Sequence, residues 1–422
     1  MNIKTVILAA GKGTRMKSET PKVLHEIFGK TLLGYVLDSV KSFSDEAFVI
    51  VGHKADDVQK YIEKNYTFAR TVLQNPQLGT GHAVSFVCPM LENYNGLVLI
   101  TCGDTPLLKE ETLKNFIDEH IKSGADVTVM STIFENPFGY GRILRSNNGT
   151  VERIVEEKDA DNTQKAVKEV NAGIYCLNWQ KVKNAFSELK SSNAQGEYYL
   201  TDIIEWANKK GLKVCASVLA DSNEIYGINS RSNLATATEI MNRRKLNELM
   251  DNGVTIVDPN TTWISQDTEI GADTIVYPST YIEGENNIIG QNCKIGPFAH
   301  IRGNVKIADN VKIGNFVEVK NSTINEHTNA CHLSYIGDSD LGKNINIGAG
   351  TITANYNPLT KVKSRTVLKD NVKIGSNSVL VAPVTIEESA NVGAGSVITK
   401  NIEPNALALT RAPMKIVENW VK

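Results

Sequence analysis

Two glycines and three cations lie close together near the start of the chain: Gly11, Lys12, Gly13, Arg15 and Lys22. Glycine adopts backbone angles that other residues avoid, and it leaves its amide open to an approaching ligand. The cations place positive charge beside those amides. Backbone N–H groups and positive side chains are the groups that hold a polyphosphate, so this segment predicts a polyphosphate site.

Two common phosphate-binding loops do not fit the sequence. The dinucleotide-binding pattern requires a third glycine at the position of Met16. The Walker pattern survives only as the fragment Gly29-Lys30-Thr31, with Leu24 where its first glycine belongs. We interpret that fragment as the start of a helix.

A carboxylate follows another predicted strand, in the sequence Cys102-Gly103-Asp104 after Leu97–Thr101. Because ligands bind at the carboxyl ends of parallel strands, Asp104 should lie near the glycine segment. One or two carboxylates together with phosphate oxygens suit Mg²⁺. The alternative interpretation, an aspartate that caps the turn before Pro106, stays open from these residues alone.

The elements that must position these groups alternate between apolar strands and helical patterns up to about residue 228. The predicted strands are Thr5–Leu8, Ala47–Val51, Leu97–Thr101, Val127–Ile133 and Val170–Leu177. The predicted helices are Leu32–Phe43, Ala55–Lys64, Lys109–Lys122 and Trp179–Leu189. This alternation predicts an α/β layer fold, Rossmann-like, around a mainly parallel sheet.

The region from 253 to 422 repeats with a period of six residues. The apolar positions of one run are Ile289, Ile295, Ile301, Ile307, Ile313 and Val319. Hexapeptide repeats predict a parallel β-helix whose coils contain three short strands, or eighteen residues. Arg302 and Lys320 are eighteen residues apart, so they should stack in adjacent coils, where two cations suit a sugar phosphate. Ser376 and Ala394 share the same spacing and should form another column.

Two interruptions break this repeat, Asn325–Asp340 and Thr353–Val367. We expect both to be loops that leave the solenoid, where chemistry often lies. The first contains His332, and a histidine is suited to accept a proton near neutral pH. A single histidine in a loop is more often structural, so the residue alone leaves both interpretations open.

Residues 229–252 show a long helical pattern between the two regions. Its apolar positions are Leu234, Ala237, Met241, Leu246, Leu249 and Met250. Gly253 is a plausible left-handed stop for the helix. We interpret this helix as a rigid spacer between the two regions. The alternative is an ordinary amphipathic helix that packs on its own domain.

Composition limits the possible classes of protein. The chain has 422 residues and a formal net charge of −2, which does not indicate a nucleic-acid surface. Its six cysteines show no zinc spacing and suit free thiols in a reducing compartment. Neither a signal-peptide pattern nor an apolar run of ~20 residues is present, so we expect a cytoplasmic protein without a membrane segment.

The segment from Leu8 to Met16, followed by Pro21-Lys22, resembles the sugar-1-phosphate nucleotidyltransferases. An ordered series of segments narrows this resemblance. The series is Gln74–His82, Gly139–Ile143, Glu156–Ala160, Asn171–Ile174 and Gly227–Arg231. With the hexapeptide region, the whole chain is similar to the bacterial bifunctional N-acetylglucosamine-1-phosphate uridyltransferase/glucosamine-1-phosphate N-acetyltransferase family, the GlmU family.

The resemblance implies roles for residues in the first region. The implied uridine-nucleotide and sugar site contains Leu8, Ala9, Ala10, Gly11, Lys22, Gln74, Gly79, Thr80, Cys102, Gly103, Asp104, Gly141, Glu156, Asn171 and Asn229. Asp104 and Asn229 would hold Mg²⁺, and Lys22 and Arg15 would offset charge on the leaving group. The sequence departs from the family at Cys102, where a tyrosine is usual.

The resemblance also implies an acetyl-transfer site in the second region, with His332 as the proton acceptor. Glucosamine 1-phosphate would be held by Arg302, Lys320, Tyr335 and Asn346. Acetyl-CoA would be held by Ala349, Asn355, Tyr356, Ser376, Ala394 and Arg411. The family further implies a left-handed β-helix and a homotrimer.

The leading hypothesis is a bifunctional enzyme that makes UDP-N-acetylglucosamine for the cell envelope. Its implied domains are residues 1–228 for uridyl transfer, a linker helix at 229–252, and residues 253–422 for acetyl transfer. A second hypothesis retains only nucleotidyl transfer, with the solenoid as a scaffold, and predicts no thiol release from acetyl-CoA. A third is a non-catalytic scaffold that binds sugar nucleotides without Mg²⁺-dependent release of pyrophosphate.

Overall fold

The division of the chain into two units falls within its longest helix, Arg231–Asp251. The computed structural model describes residues 2–410 and 412–421. Its units are Met1–Ala237 and Thr238–Lys422. The helices are α1 Leu32–Val40, α2 Ala55–Asn65, α3 Thr80–Ser85, α4 Glu110–Ser123, α5 Asn162–Lys165, α6 Trp179–Val182, α7 Ala185–Glu188, α8 Asp202–Lys209 and α9 Arg231–Asp251. Among the described residues, no helix combines the length and apolar character that crossing a bilayer would demand.

The first unit is built around a mixed sheet with helices packed against it. Its strands are β1 Ile3–Leu8, β2 Glu26–Ile27, β3 Lys30–Thr31, β4 Glu46–Val51, β5 Ala69–Leu73, β6 Leu97–Cys102, β7 Val127–Ile133, β8 Arg142–Arg145, β9 Val151–Val155, β10 Glu169–Asn178 and β11 Val214–Val218. The main sheet has the order β11-β7-β10-β6-β1-β4-β5. β10 runs antiparallel to both neighbours, and the other pairs along this path are parallel. The prediction of a mainly parallel α/β sheet is therefore confirmed.

The start of α1 explains the Walker-like fragment. The hydroxyl of Thr31 accepts a hydrogen bond from the backbone N–H of Gly34 at 2.9 Å, which caps the first turn of the helix. The interpretation of this fragment as a helix start is confirmed. The single helix predicted over Trp179–Leu189 is wrong, because α6 and α7 are separate and Asn184 lies between them. Asparagine competes for backbone hydrogen bonds and is a weak helix former in such a position.

The second unit is a parallel β-helix. Its strands are β12 Thr255–Ile256, β13 Trp263–Ile264, β14 Glu269–Ile270, β15 Ile275–Val276, β16 Tyr281–Glu283, β17 Ile288–Ile289, β18 Lys294–Ile295, β19 His300–Arg302, β20 Lys306–Ile307, β21 Lys312–Lys320, β22 Thr323–Ile324, β23 Asn329–Gly337, β24 Ser339–Leu341, β25 Asn346–Ile347, β26 Ile352–Ala354, β27 Thr366–Leu368, β28 Lys373–Ile374, β29 Val379–Val381, β30 Val384–Ile386, β31 Asn391–Val392, β32 Val397–Ile398 and β33 Leu407–Ala408. Each strand pairs in parallel with the strand one coil away. The predicted apolar positions, Ile289 to Val319, are all buried in one continuous core.

Close stacking of the coils explains the repeated glycines. A Cβ on Gly314 would collide with the carbonyl group of Cys331 in the next coil. Strands in a sheet are about 4.8 Å apart, which leaves no space for a side chain directed at the neighbouring backbone. Several corners of the coils have positive φ and contain asparagine, as at Asn292, Asn310 and Asn344. Asparagine tolerates this conformation better than most residues.

The loop predicted over Asn325–Asp340 is wrong. Most of this segment is β23, which stays in the coil and pairs in register with β21. The shift in the repeat arises because one turn is a residue shorter. Lys306 pairs with Thr323, seventeen residues away, whereas Arg302 pairs with Lys320, eighteen residues away. The second predicted loop is confirmed, since residues 355–365 leave the coil between β26 and β27.

The end of α9 belongs to the second unit. Leu246 and Leu249 join the same buried apolar cluster as the isoleucines of the β-helix. Gly253 follows the helix with φ of 90°, which agrees with the predicted left-handed stop. This part of α9 therefore packs on its own unit as an amphipathic helix, which was one of the two interpretations of the pattern.

Candidate active sites

The bend between β1 and the turn Thr14–Met16 is shaped by Gly13. Its φ is 59°, and a Cβ there would lie 2.8 Å from Cβ of Lys22. Both constraints favour glycine at this position. Gly11 lies outside the positive-φ region, so the expectation of unusual backbone angles is wrong for Gly11. Its exposed backbone instead has open space where a side chain would stand.

A cavity of about 480 Å³ opens where β1 and β6 end. Of the residues predicted for the nucleotide site, it is lined by Leu8, Ala9, Ala10, Gly11, Lys22, Gln74, Gly79, Thr80, Cys102 and Asp104. Gly103 lies beside them, because its N–H donates to the carbonyl oxygen of Leu8 at 3.0 Å. Arg15 is exposed on the turn Thr14–Met16 and does not line the cavity.

Lys22 joins two segments that are far apart in the sequence. Its Nζ lies 2.5 Å from Oδ2 of Asp104 and 3.1 Å from Oδ1 of Asn229. These oxygens therefore converge on a single cation. The described residues contain no cluster of three or more His, Cys, Asp or Glu side chains arranged for a metal ion. One carboxylate and one amide oxygen nevertheless fit Mg²⁺, which takes few protein ligands when phosphate oxygens complete its shell.

The residues predicted for the sugar are brought together beside the sheet. The N–H of Asn171 donates to the carbonyl oxygen of Gly141 at 2.9 Å. A Cβ on Gly141 would lie 3.4 Å from both carboxylate oxygens of Glu156, so glycine keeps this approach open. The Thr201 hydroxyl donates to Oε1 of Glu156 at 3.2 Å. Burial raises the pKa of Glu156, and it raises the pKa of nearby Asp202 to about 6 with help from Glu205 and Asp159.

In the second unit, Arg302 and Lys320 are direct neighbours in register on β19 and β21. Both side chains are partly exposed beside buried Ile301 and Val319, so both point outward from the same face. The predicted cation column is confirmed. Burial lowers the pKa of Lys320, as does repulsion from Arg302 and then from Lys363. Glu318 offsets part of this charge, since it pairs with Arg302 at 2.6 Å.

His332 lies at a corner of the coil and is exposed. Its Nδ1 is 3.2 Å from Oδ1 of Asn315, its neighbour in the preceding coil. The same register continues into the following coils, where the corner positions are Ala349, Ser376 and Ala394. The predicted proton acceptor and three residues predicted for acetyl-CoA therefore form one column. Neighbouring rungs are about 4.8 Å apart, so the small side chains leave an extended shelf along the corner.

Tyr335 lies on the same outward face as Lys320, because it pairs with Glu318 in register. Asn355 donates from Nδ2 to the Tyr335 hydroxyl at 3.3 Å and also contacts Asp338. Tyr356 is half exposed at the base of the 355–365 loop.

Asn346 does not join this group. It lies on β25, in the column of strands that precedes the corner, next to Asn329. Arg411, predicted for acetyl-CoA, lies outside the described residues.

Comparisons with known proteins cover both units. Residues 5–166 match the MobA-like NTP transferase domain, and residues 288–321 and 365–400 match the bacterial transferase hexapeptide family of six repeats. The chain is 43% identical over 455 residues to the bifunctional protein GlmU of Clostridioides difficile, covering 100% of this chain and 98% of that protein. It is 45% identical over 451 residues to bifunctional protein GlmU of Thermoanaerobacter pseudethanolicus, covering 99% and 97%. The chain belongs to the GlmU family.

GlmU proteins are bifunctional transferases of UDP-N-acetylglucosamine synthesis, and full-length similarity gives this chain both activities, uridylyl transfer and acetyl transfer. Its fold agrees with that membership, with a nucleotidyltransferase sheet in one unit and a hexapeptide β-helix in the other. The product is a precursor of peptidoglycan. The hypotheses of a solenoid scaffold without acetyl transfer and of a non-catalytic binding protein are therefore set aside.

Cys102, the departure from the GlmU pattern, lies at the end of β6 and lines the cavity. Its thiol is close to Gly173, where a Cβ would be 3.3 Å from the sulfur. Burial raises the pKa of Cys102 to about 12, and the negative charge of Asp104 adds to the shift. The thiol is therefore neutral and acts as a small apolar wall of the cavity.

Two further side chains contact residues of the candidate acetyl-transfer site and were not predicted: Asn315 beside His332, and Lys363 beside Lys320. Asn315 was missed because the expected coil of eighteen residues does not pair it with His332, which is seventeen residues away. Lys363 was missed because it belongs to the extruded loop, where it pairs with Tyr356. The alternation Lys361-Val362-Lys363 was the available signal for a short extended segment in that loop.

Proposed function

We propose that residues 1–228 catalyse uridylyl transfer from UTP to N-acetylglucosamine 1-phosphate, with release of pyrophosphate. The observation that carries this assignment is the bridge from Lys22 to Asp104 and Asn229 at the mouth of the nucleotide cavity. These three side chains join a cation to two oxygen ligands beside the glycine bend. A reaction between two anionic phosphates requires positive charge and a fixed geometry, and this group of side chains can supply both.

The reaction joins an oxygen of the sugar phosphate to the α-phosphorus of UTP while the bond to pyrophosphate breaks. The attacking phosphate is already ionised, so no general base is required. Both reactants are anionic, and the protein must therefore offset charge and fix an in-line geometry. Lys22 and the open backbone of Gly11 provide the fixed positive groups. Mg²⁺ held by Asp104 and Asn229 would supply a Lewis acid to the phosphate oxygens.

The sugar is assigned to Gly141, Glu156, Asn171 and Asn229. The close packing of the first three supports one recognition surface rather than three separate ones. The carboxyl group of Glu156 is suited to hydrogen bonds with sugar hydroxyls, and burial raises its pKa. Arg15 is assigned to the leaving group, because it is an exposed cation on the turn Thr14–Met16 that follows the glycine bend.

We further propose that residues 253–422 transfer the acetyl group of acetyl-CoA to glucosamine 1-phosphate. Arg302 and Lys320 would bind the phosphate from their shared face. The amine would attack the thioester carbonyl, form the amide bond and expel the CoA thiolate. His332 would take the proton that the amine loses. If Nδ1–H donates to Asn315, the lone pair on Nε2 is left free for that proton.

Acetyl-CoA is assigned to the shelf of Ala349, Ser376 and Ala394, together with Asn355, Tyr356 and Arg411. The shelf begins at His332 and continues over successive coils, which suits an extended ligand whose reactive end lies at the histidine. Small side chains along the column leave room for the pantetheine chain.

A homotrimer is the proposed assembly. Asn346 and Arg302 lie in different strand columns of one chain, on either side of the corner that carries His332. A second copy that packs against this corner would allow one substrate to reach both groups. Sedimentation equilibrium tests this proposal, with an expected mass close to three times 46.2 kDa. A mass equal to that of one chain would contradict it.

We place the protein in the cytoplasm. All six cysteines are free thiols, which is typical of a reducing compartment. The proposed co-substrates, UTP and acetyl-CoA, are metabolites of that compartment as well.

The deciding experiment supplies purified full-length protein with UTP, acetyl-CoA, glucosamine 1-phosphate and Mg²⁺. Thiol release and pyrophosphate release are followed in the same sample. Both products are expected. Omission of acetyl-CoA should stop both, and added N-acetylglucosamine 1-phosphate should then restore pyrophosphate release alone. Pyrophosphate release without any thiol release would overturn the proposed role of the second unit.

A further inference from the structure

Gln74 and His82 form a hydrogen bond inside the first unit that the proposed chemistry does not use. Nε2 of Gln74 lies 3.0 Å from the carbonyl oxygen of Gly79 and 3.2 Å from Nδ1 of His82. The amide nitrogen carries two hydrogens, and these two acceptors take both of them. Gln74 is buried, with 4% of its surface exposed, so its amide has few other partners.

This arrangement leaves the amide oxygen of Gln74 directed at the cavity. Oε1 accepts no hydrogen bond from the described residues, yet it is not sealed from solvent, and Gln74 lines the nucleotide cavity. An open acceptor selects a ligand that presents a donor. Uracil presents N3–H, whereas cytosine presents a bare N3 lone pair at the same position, which would repel the oxygen.

We propose that His82 is a positioning residue for base selection: its Nδ1 fixes the Gln74 amide so that Oε1 accepts from N3–H of uracil and rejects cytosine. The inference rests on the proposed uridylyl transfer and adds to it the source of nucleotide preference. His82 itself does not line the cavity and acts only through Gln74.

The surroundings of His82 favour the neutral form of its ring and hold the ring in place by contacts with two aromatic side chains. The ring stacks on Tyr198 at 6.0 Å and meets Phe86 edge-on at 4.9 Å between centroids. Burial lowers the pKa of His82, and no charged side chain contributes to that shift. Tyr198 is the titratable side chain in contact with the ring, and Glu197 lines the adjacent cavity. A neutral imidazole with its proton on Nε2 leaves Nδ1 as the acceptor that Gln74 requires.

The test compares kcat/KM for UTP and CTP in the full-length enzyme with N-acetylglucosamine 1-phosphate. H82F retains an aromatic ring but removes the acceptor, so the Gln74 amide is free to rotate. The loss of one hydrogen bond predicts a fall in the UTP:CTP ratio of about fivefold. H82N places an amide oxygen near the position of Nδ1 and should restore most of the ratio. The matched control is H120F, at a buried histidine that bonds to Thr128 outside the cavity, and it should leave the ratio unchanged.

A pH series provides a readout that packing alone would not change. Protonation of His82 turns Nδ1 into a donor, which favours the opposite orientation of the Gln74 amide. The UTP:CTP ratio of the wild type should therefore fall at a pH below the ordinary histidine pKa, and the ratio of H82N should not.

An unchanged ratio in H82F, or equal losses for both nucleotides in H82F and H82N, would overturn the inference. Binding of UTP and CTP, measured by calorimetry, gives the same comparison if a variant has little turnover. A wild type that releases no pyrophosphate from UTP would instead refute the proposed function, so the two failures are distinguishable.

Discussion

Lys22 lies 2.5 Å from Asp104 although the two residues are 82 positions apart. Their side chains are largely shielded, with 15% and 18% exposed, so the attraction is weakly screened by solvent. The pair marks the point where the glycine bend, the end of β6 and Asn229 meet. This convergence joins the cation proposed to bind phosphate to the oxygens proposed for Mg²⁺.

Asp104→Asn should abolish pyrophosphate release while thiol release from acetyl-CoA continues. The change removes the charge that would hold Mg²⁺ but preserves shape, and a loss of about 10³-fold is expected for a group that stabilises transition-state charge. Both products are measured in one assay. Asp126→Asn is the matched control, because Asp126 is also buried and paired with a lysine, Lys181, outside the cavity. Near-normal uridylyl transfer by D104N would remove Asp104 from the proposed metal site.

His332→Ala should stop thiol release and leave pyrophosphate release intact when N-acetylglucosamine 1-phosphate is supplied. Loss of a general base lowers the rate by roughly 10²–10⁴-fold. Asn315→Ala should have a smaller effect of about fivefold, because it removes only the hydrogen bond that orients the ring. His327→Asn serves as the control, since His327 is exposed at another corner with φ of 59° that asparagine tolerates. Loss of both reactions in H332A would contradict the assignment of the two reactions to independent sites.

Lys320→Met should raise KM for glucosamine 1-phosphate more than it lowers kcat. Lys320 and Arg302 are neighbours on one face, and a charged hydrogen bond to phosphate is worth about 10- to 100-fold in affinity. Initial rates at varied sugar phosphate provide the measurement. Lys312→Met removes a lysine from the same strand but from the column before the corner, and should change neither constant. If K320M had the same KM as the wild type, Lys320 would be excluded from binding the phosphate of the substrate.

Gly13→Ala should reduce uridylyl transfer strongly. An alanine there is strained at φ of 59°, and its Cβ would also press against Lys22 at 2.8 Å. The expected loss is at least about tenfold in kcat/KM, since displacement of a positioned group by a fraction of an ångström is costly. Gly149→Ala is the control. Gly149 also has a positive φ, 85°, but open space surrounds the position of the new Cβ, so this change imposes only backbone strain. Equal activity of G13A and G149A would show that the contact with Lys22 is unimportant.

The stability of the first unit should decline between pH 6.5 and pH 4 because of His120. Burial lowers its pKa from 6.5 to about 4. Over that interval the unfolded chain binds a proton that the folded chain excludes, so the contribution is complete above pH 6.5 and is lost as the pH falls toward 4. The loss is about 2–3 kcal/mol. Thermal melting as a function of pH is the measurement, and His120→Gln should flatten the curve over this interval. A variant curve as steep as that of the wild type would assign the decline to other groups.

The sequence by itself determined the two architectures and predicted most of the residues that line the candidate sites. Alternating strands and helices fixed the α/β sheet, because a buried parallel strand must be continuously apolar. The six-residue period fixed the β-helix and the pairing of Arg302 with Lys320, because each coil repeats the same inward positions. The proximity of the glycine bend to Asp104 could also be predicted from the sequence, since both follow strands of one sheet.

Only the tertiary structure decided the details that depend on exact register and on long-range contact. A turn one residue shorter kept β23 in the coil and placed Asn315 beside His332, which no fixed period could reveal. The position of Asn229 against Lys22, 207 residues earlier, likewise required the folded chain. A sequence pattern records which residues face inward, but contacts between distant segments depend on how all turns and side chains pack together.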